Sequence, residues 1–211
     1  MFSLNPSLQS YSWGSKTLIA DLRGEESPHP QAELWYGAHP AAPADIAGVP
    51  LTDIIAADPD RELGAAVRAR FGDRLPFLLK ILAVAEPLSL QAHPSLTQAQ
   101  EGFRRGNAQG IDVRAGNRNY RDDNHKPELI VALTPFHAMA GSRPLAATLE
   151  LFAALDCPSL ARYVGMIDST GEEAVNLRML FTTWITIPAA VRKQLIDDII
   201  VAAKRVVAEG S

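Results

Sequence analysis

A single cysteine, Cys157, stands among 211 residues, so no intrachain disulfide can form. A disulfide-stapled scaffold is excluded, and a reducing compartment is the expectation. Long apolar runs are missing as well. The longest, residues 77–85, is interrupted by Lys80, whereas a membrane span needs about 20 apolar residues. The opening residues, Met1-Phe2-Ser3-Leu4-Asn5-Pro6, show no basic region followed by an apolar stretch. Net charge is −4, without the basic stripe of a nucleic-acid binder. The one basic cluster, Arg114, Arg118 and Arg121, is too small to carry that role. Gly-rich phosphate loops, dinucleotide fingerprints and Gly-x-Ser-x-Gly elbows are absent, as is any internal repeat. These absences predict a cytoplasmic protein that binds neither nucleic acid nor membrane.

What is present is ordinary for a folded chain. Hydrophobic residues make up 47% and charged residues 21%, which excludes wholesale disorder. The length allows one large domain or two small ones, with a core that needs no staples. Fifteen prolines predict many turns and strand ends.

The chain changes character near Gly141. Before it, Pro and Gly punctuate short elements. Residues 51–57 and 60–71 read as helices, the second capped by Asp58 with Pro59 at its first position. Residues 77–84, 88–93 and 129–133 read as strands, and 97–105 as a helix. Residues 106–124 are polar, rich in Gly and Asn, and read as a long loop of the kind that often carries function. After Gly141 the pattern is helical over 145–155, 159–164, 171–184 and 188–207. In the last, Val191, Leu195, Ile199, Ala202 and Val206 recur at three- and four-residue steps and form one apolar face. The expected organisation is a β-rich domain over 1–143 and a helical domain over 144–211, an α+β chain whose β domain looks incomplete.

Four local patterns can carry chemistry. In Leu88-Ser89-Leu90-Gln91-Ala92-His93-Pro94, strand alternation puts Leu88, Leu90 and Ala92 on a core-facing side and Ser89, Gln91 and His93 on the other. An amide oxygen and an imidazole nitrogen two residues apart can converge on a metal such as zinc. An ordinary solvated strand face reads the same way. In Asn124-His125-Lys126-Pro127-Glu128, the Glu128 carboxylate can face the same cavity, and His125 and Lys126 can move protons; a plain connecting loop is the competing reading. Lys80, inside an apolar strand, is either buried with a partner or placed on an edge strand where it reaches water. Trp13 and Trp35, beside Gly, Ser and His, suit a sugar pocket or simple packing. His29, His39 and His137 have no spaced partners and read as structural or surface residues, and Cys157 reads as core.

Five segments in order resemble type I phosphomannose isomerases. They are Tyr11-Ser12-Trp13-Gly14-Ser15, residues 32–40 (Ala32-Glu33-Leu34-Trp35-Tyr36-Gly37-Ala38-His39-Pro40), Pro76-Phe77-Leu78-Leu79-Lys80, residues 88–94, and residues 120–129. The resemblance implies a zinc-dependent isomerase with a cupin-type β-sandwich (jelly-roll), here incomplete. It implies interconversion of mannose 6-phosphate and fructose 6-phosphate through a cis-enediol. By the same resemblance, Gln91, His93 and Glu128 are zinc ligands, and Lys80, His125 and Lys126 are positions for proton transfer or substrate contact. Trp13 becomes a candidate for the pocket wall. The family's fourth zinc ligand, a His, lies in a later half that this chain does not contain, so a truncated form is the expectation. The implied partner is a small sugar phosphate. Three other readings stay open: a non-catalytic metal- or sugar-binding cupin-like fragment, a different cupin enzyme, and a structural α+β protein.

Overall fold

Three short strands carry the sheet on which the site is built: β1 (Ser7–Gln9), β2 (Glu33–Tyr36) and β5 (Leu79–Leu82), antiparallel in the order β1-β2-β5. The register sets Trp35 opposite both Ser7 and Lys80, and Leu34 opposite Ile81. Side chains alternate across a strand. Leu34, Tyr36, Ile81 and Ala83 therefore join Ile19 in the core on one face, and Glu33, Trp35 and Lys80 occupy the other. Ile19 sits on helix α1 (Leu18–Arg23), which ends at Gly24 in the left-handed conformation. Burying a side chain such as Leu34 stabilises the fold by about 1.5–3 kcal/mol. Gly14 is fixed by close approach: a Cβ there would lie 2.7 Å from the Ala32 backbone.

The computed structural model describes residues 2–168 and 170–210. They divide into two compact units, one ending at Glu128 and one beginning at Leu129. In the first unit, β3 (Asp45–Ile46) and β4 (Val49–Pro50) form a two-residue hairpin whose turn, Ala47 and Gly48, has positive φ at both positions. Helix α2 (Leu51–Ala57) follows as the sequence predicts. The helix expected over 60–71 is broken into α3 (Pro59–Leu63) and α4 (Ala65–Phe71), because Gly64 adopts φ 76° and ψ 158° between them. The Asp58 cap is confirmed, its carboxylate accepting the Arg61 N–H at 3.2 Å. Helix α5 (Leu96–Ala108) opens with a capping box formed by Ser95 and Gln98.

Two predicted strands are absent. Residues 88–93 and 129–133 pair with no neighbouring strand. Leu90 is 78% exposed and Leu129 89%, so the apolar side of each segment lies open and covers no core. Alternation fixes which side chains share a face but supplies no partner for the backbone, and a strand requires both.

The second unit is helical: α6 (Leu145–Leu155), α7 (Pro158–Val164), α8 (Glu173–Thr186) and α9 (Ala189–Ala208). Leu155, Cys157, Leu160, Tyr163, Leu180, Leu195 and Ala202 form its core, with Ile199 and Val206 packed against it. The apolar face read from α9 is thus present, except that Val191 is partly exposed. Asn176 is buried and satisfied, donating to the Asp168 carbonyl at 2.8 Å and accepting the Asp168 N–H at 3.0 Å. Among the described residues, no single helix is long and apolar enough to cross a membrane.

Candidate active site

On the open face of the sheet, Glu33 is nearly buried. Its Oε2 accepts the indole N–H of Trp35 at 2.6 Å, and its Oε1 lies 3.7 Å from the Nζ of Lys80. The ammonium also stands 4.9 Å from the centre of the Trp35 ring. Lys80 therefore combines both sequence alternatives: it is on a strand at the edge of its three-stranded sheet, and it is paired.

The segment that brings Glu128 to the site is tied down by Arg118. This guanidinium is 4% exposed and has no carboxylate partner among the described residues. It donates instead to the carbonyls of Tyr120 at 2.6 Å, Ile111 at 2.8 Å and Phe103 at 3.1 Å, and to Asn107 Oδ1 at 2.7 Å. The Tyr120 ring rests on Gly102 of α5. The long loop expected from the sequence is thus bound to the helix before it. The basic cluster that contains Arg118 is not a surface patch, since one of its three members is internal.

Beyond Tyr120, Lys126 Nζ donates to both oxygens of Asp122, at 2.8 and 2.7 Å. Burial pushes the Asp122 carboxyl upward, but the Lys126 hydrogen bonds, the Asn124 N–H and the Lys126 charge outweigh it and hold it below the usual carboxylate range. The His39 imidazole packs against Trp35 with ring centres 4.8 Å apart. It is held below its ordinary value, first by partial burial, then by the Lys80 charge; Lys126 adds to this and Asp122 opposes it. His39 lies at the surface, as the sequence suggests, but it is not isolated. Its electrostatic neighbours are Lys80, Asp122 and Lys126, a grouping that sequence spacing conceals.

His93 and Glu128 meet, with Nε2 and Oε2 3.9 Å apart. That is too long for a hydrogen bond. Zinc lies about 2.0–2.1 Å from a His nitrogen and about 2.0–2.2 Å from a carboxylate oxygen. Tetrahedral zinc with these bonds would hold the two donor atoms about 3.3–3.5 Å apart, so the pair stands close to, but wider than, the separation a bound ion needs. Gln91 is exposed on the same segment, two residues before His93. No three His, Cys, Asp or Glu side chains among the described residues converge as a metal cluster. His125 is exposed. Trp13 is half-buried and stacks on Tyr11 with ring centres 5.5 Å apart.

This arrangement, a lysine-bearing sheet face with a second lysine and a His–Glu donor pair in the same unit, suits proton-transfer chemistry beside a metal. Residues 1–145 match the model of the type I phosphomannose isomerase catalytic domain. The chain belongs to that family. It is 45% identical over 178 residues to the mannose-6-phosphate isomerase of Escherichia coli, covering 80% of this chain and 45% of that protein. It is 37% identical over 160 residues to that of Homo sapiens, covering 69% of this chain and 35% of that protein. The crystal structure of the Salmonella typhimurium mannose-6-phosphate isomerase bound to substrate (f6p) and zinc is similar with a TM-score of 0.84 at 37% identity. That likeness covers 97% of this chain and 53% of the other. The chain thus spans about half the length of the relatives it matches.

Proposed function

We propose that this chain carries the N-terminal part of a zinc-dependent aldose–ketose isomerase that interconverts mannose 6-phosphate and fructose 6-phosphate. In this reading residues 1–143 are part of a cupin-type jelly-roll domain, and 144–211 begin a helical domain. Gln91, His93 and Glu128 are the protein ligands this chain offers to zinc, and a His outside it completes the set. The observation that carries the reading is the approach of His93 to Glu128 within 3.9 Å, from two segments far apart in the sequence.

Bound zinc supplies Lewis acidity and a template for substrate oxygens. The residues of the chain supply proton transfer. In the open-chain aldose, a base takes the proton from C2 while the C1 carbonyl oxygen gains one, giving a cis-enediol. Return of a proton to C1 and loss of the O2 proton give the ketose, so no electrons leave the substrate. Lys80, His125 and Lys126 are the groups offered for these transfers; a lysine acts as the base only while neutral. Trp13 offers a ring face to the sugar. The Salmonella relative binds f6p and zinc together, which supports both the substrate class and the metal.

The deciding experiment expresses the 211-residue chain with added zinc and follows conversion of mannose 6-phosphate to fructose 6-phosphate with and without a chelator. Turnover that the chelator abolishes means that these residues already make the site. Zinc uptake without turnover here, alongside turnover in a chain extended to the relatives' length, keeps the isomerase reading. Zinc uptake without turnover in both identifies a metal-binding module that does not catalyse, and failure of both to take up zinc removes the ligand assignment.

A further inference from the structure

The geometry points to Glu33, held by Trp35, as the positioning residue for Lys80. Three observations converge on this. Glu33 is a nearly buried carboxylate on β2, and such a group is costly unless it is paired and hydrogen-bonded. Its two oxygens are divided between two partners: one accepts the Trp35 indole N–H at 2.6 Å, and the other faces Lys80 Nζ at 3.7 Å. The sheet register then sets Trp35 directly opposite Lys80, so the indole ring lies 4.9 Å from the ammonium.

Each contact restricts the others. The indole N–H fixes the Glu33 carboxylate in one rotation. That rotation turns the remaining oxygen toward Lys80, and the ring bounds the lysine on a second side. A four-carbon side chain on an edge strand otherwise samples many rotamers. Here it meets an anion and an aromatic face together, both on the neighbouring strand. The carboxylate does not touch substrate in this role; it sets where the ammonium stands. The inference rests on Lys80 serving the isomerisation, but the clamp itself is a property of the chain without metal or substrate.

The test uses the 211-residue chain and competitive labelling with acetic anhydride, read at each lysine by mass spectrometry. Glu33→Gln can keep an oxygen to accept the indole N–H and removes both the charge and the acceptor that face Lys80. Trp35→Phe keeps an aromatic face, although a smaller one, and removes the N–H. Labelling of Lys80 is expected to rise roughly two- to fivefold in Glu33→Gln, the scale of a part-exposed ion pair, and by a smaller factor in Trp35→Phe. Lys193 on α9 is exposed and is expected to label equally in all variants, which sets the labelling scale; urea midpoints close to the parent's show that the variants remain folded. An unchanged Lys80 rate in both variants overturns the clamp. In the turnover assay Glu33→Gln is expected to lower kcat with KM little changed, and Glu33→Asp to recover part of the loss. Turnover lost in Lys80→Ala but intact in Glu33→Gln overturns the positioning role and leaves the isomerase reading standing. Turnover intact in Lys80→Ala removes the catalytic use of Lys80, while the labelling result still decides the clamp.

Discussion

The guanidinium of Arg118 fills the space that a side chain on Gly106 would need: a Cβ at Gly106 would lie 2.5 Å from Arg118 Cζ. A glycine inside α5 weakens the helix by about 1 kcal/mol relative to alanine. Here it makes room for a buried cation that ties three backbone carbonyls together. Two substitutions test the seat. Arg118→Met leaves those carbonyls unpaired, at about 1–3 kcal/mol for each that stays buried. Gly106→Ala overpacks the same spot, at about 1–3 kcal/mol. Urea unfolding is expected to show both losses, and limited proteolysis to cut both variants faster between residues 109 and 124. Equal stability and equal cleavage would show that Arg118 does not hold the loop.

The candidate residues were legible before the fold, but the supports around them were not. Gln91, His93 and Glu128 stand out because their residue types match a metal and sit in recognisable segments. Arg118 did not, since its role depends on acceptors from Phe103 to Tyr120 that only the folded loop brings around it. The Glu33–Lys80 pair depends on strand register, which alternation alone leaves open. The same limit explains the strands wrongly expected at 88–93 and 129–133. The broken helix at Gly64 was hidden because a lone glycine is tolerated within many helices.

Zinc binding should depend on His93 and Glu128 as a unit. Outer-sphere partners of a metal already cost about 10–100-fold in affinity when removed. His93→Ala and Glu128→Ala are therefore each expected to weaken zinc binding by at least about 100-fold, measured by calorimetric titration of the metal-free chain. The double variant should lose less than the product of the two, because once one ligand is gone the other holds little. A Glu128→Ala chain that binds zinc as tightly as the parent would remove Glu128 from the ligand set.

His39 predicts a pH dependence of stability. Its folded pKa lies below the ordinary value of 6.5. Between the two values the unfolded chain takes up a proton that the folded chain refuses, so stability falls as pH drops through that window. The loss begins near the ordinary His value and ends once the folded imidazole is also protonated. His39→Asn removes this contribution, so its stability should decline less between about pH 7 and about pH 5. Urea midpoints at several pH values measure the difference. Identical slopes for the two proteins would show that the imidazole titrates alike in both states.

An exposed apolar strip in the second unit should govern how the isolated chain associates. Leu129 is 89% exposed, Val131 73% and Leu133 80%. In extended backbone these alternate residues share one side, and the segment pairs with no strand of the sheets. Unpaired backbone beside exposed apolar side chains is a template for self-association. Light scattering on eluting chromatography peaks is expected to show a mass that grows with protein concentration. Leu129→Glu and Val131→Glu add charge where little is buried, so each should shift stability by no more than about 0.5 kcal/mol. Both should lower the association, because a charge on an unpaired segment must be desolvated before another chain can cover it. If the parent chain stays monodisperse at every concentration, the strip is not an adhesive surface. If the parent associates and the two glutamate variants associate equally, the contact lies elsewhere on the chain.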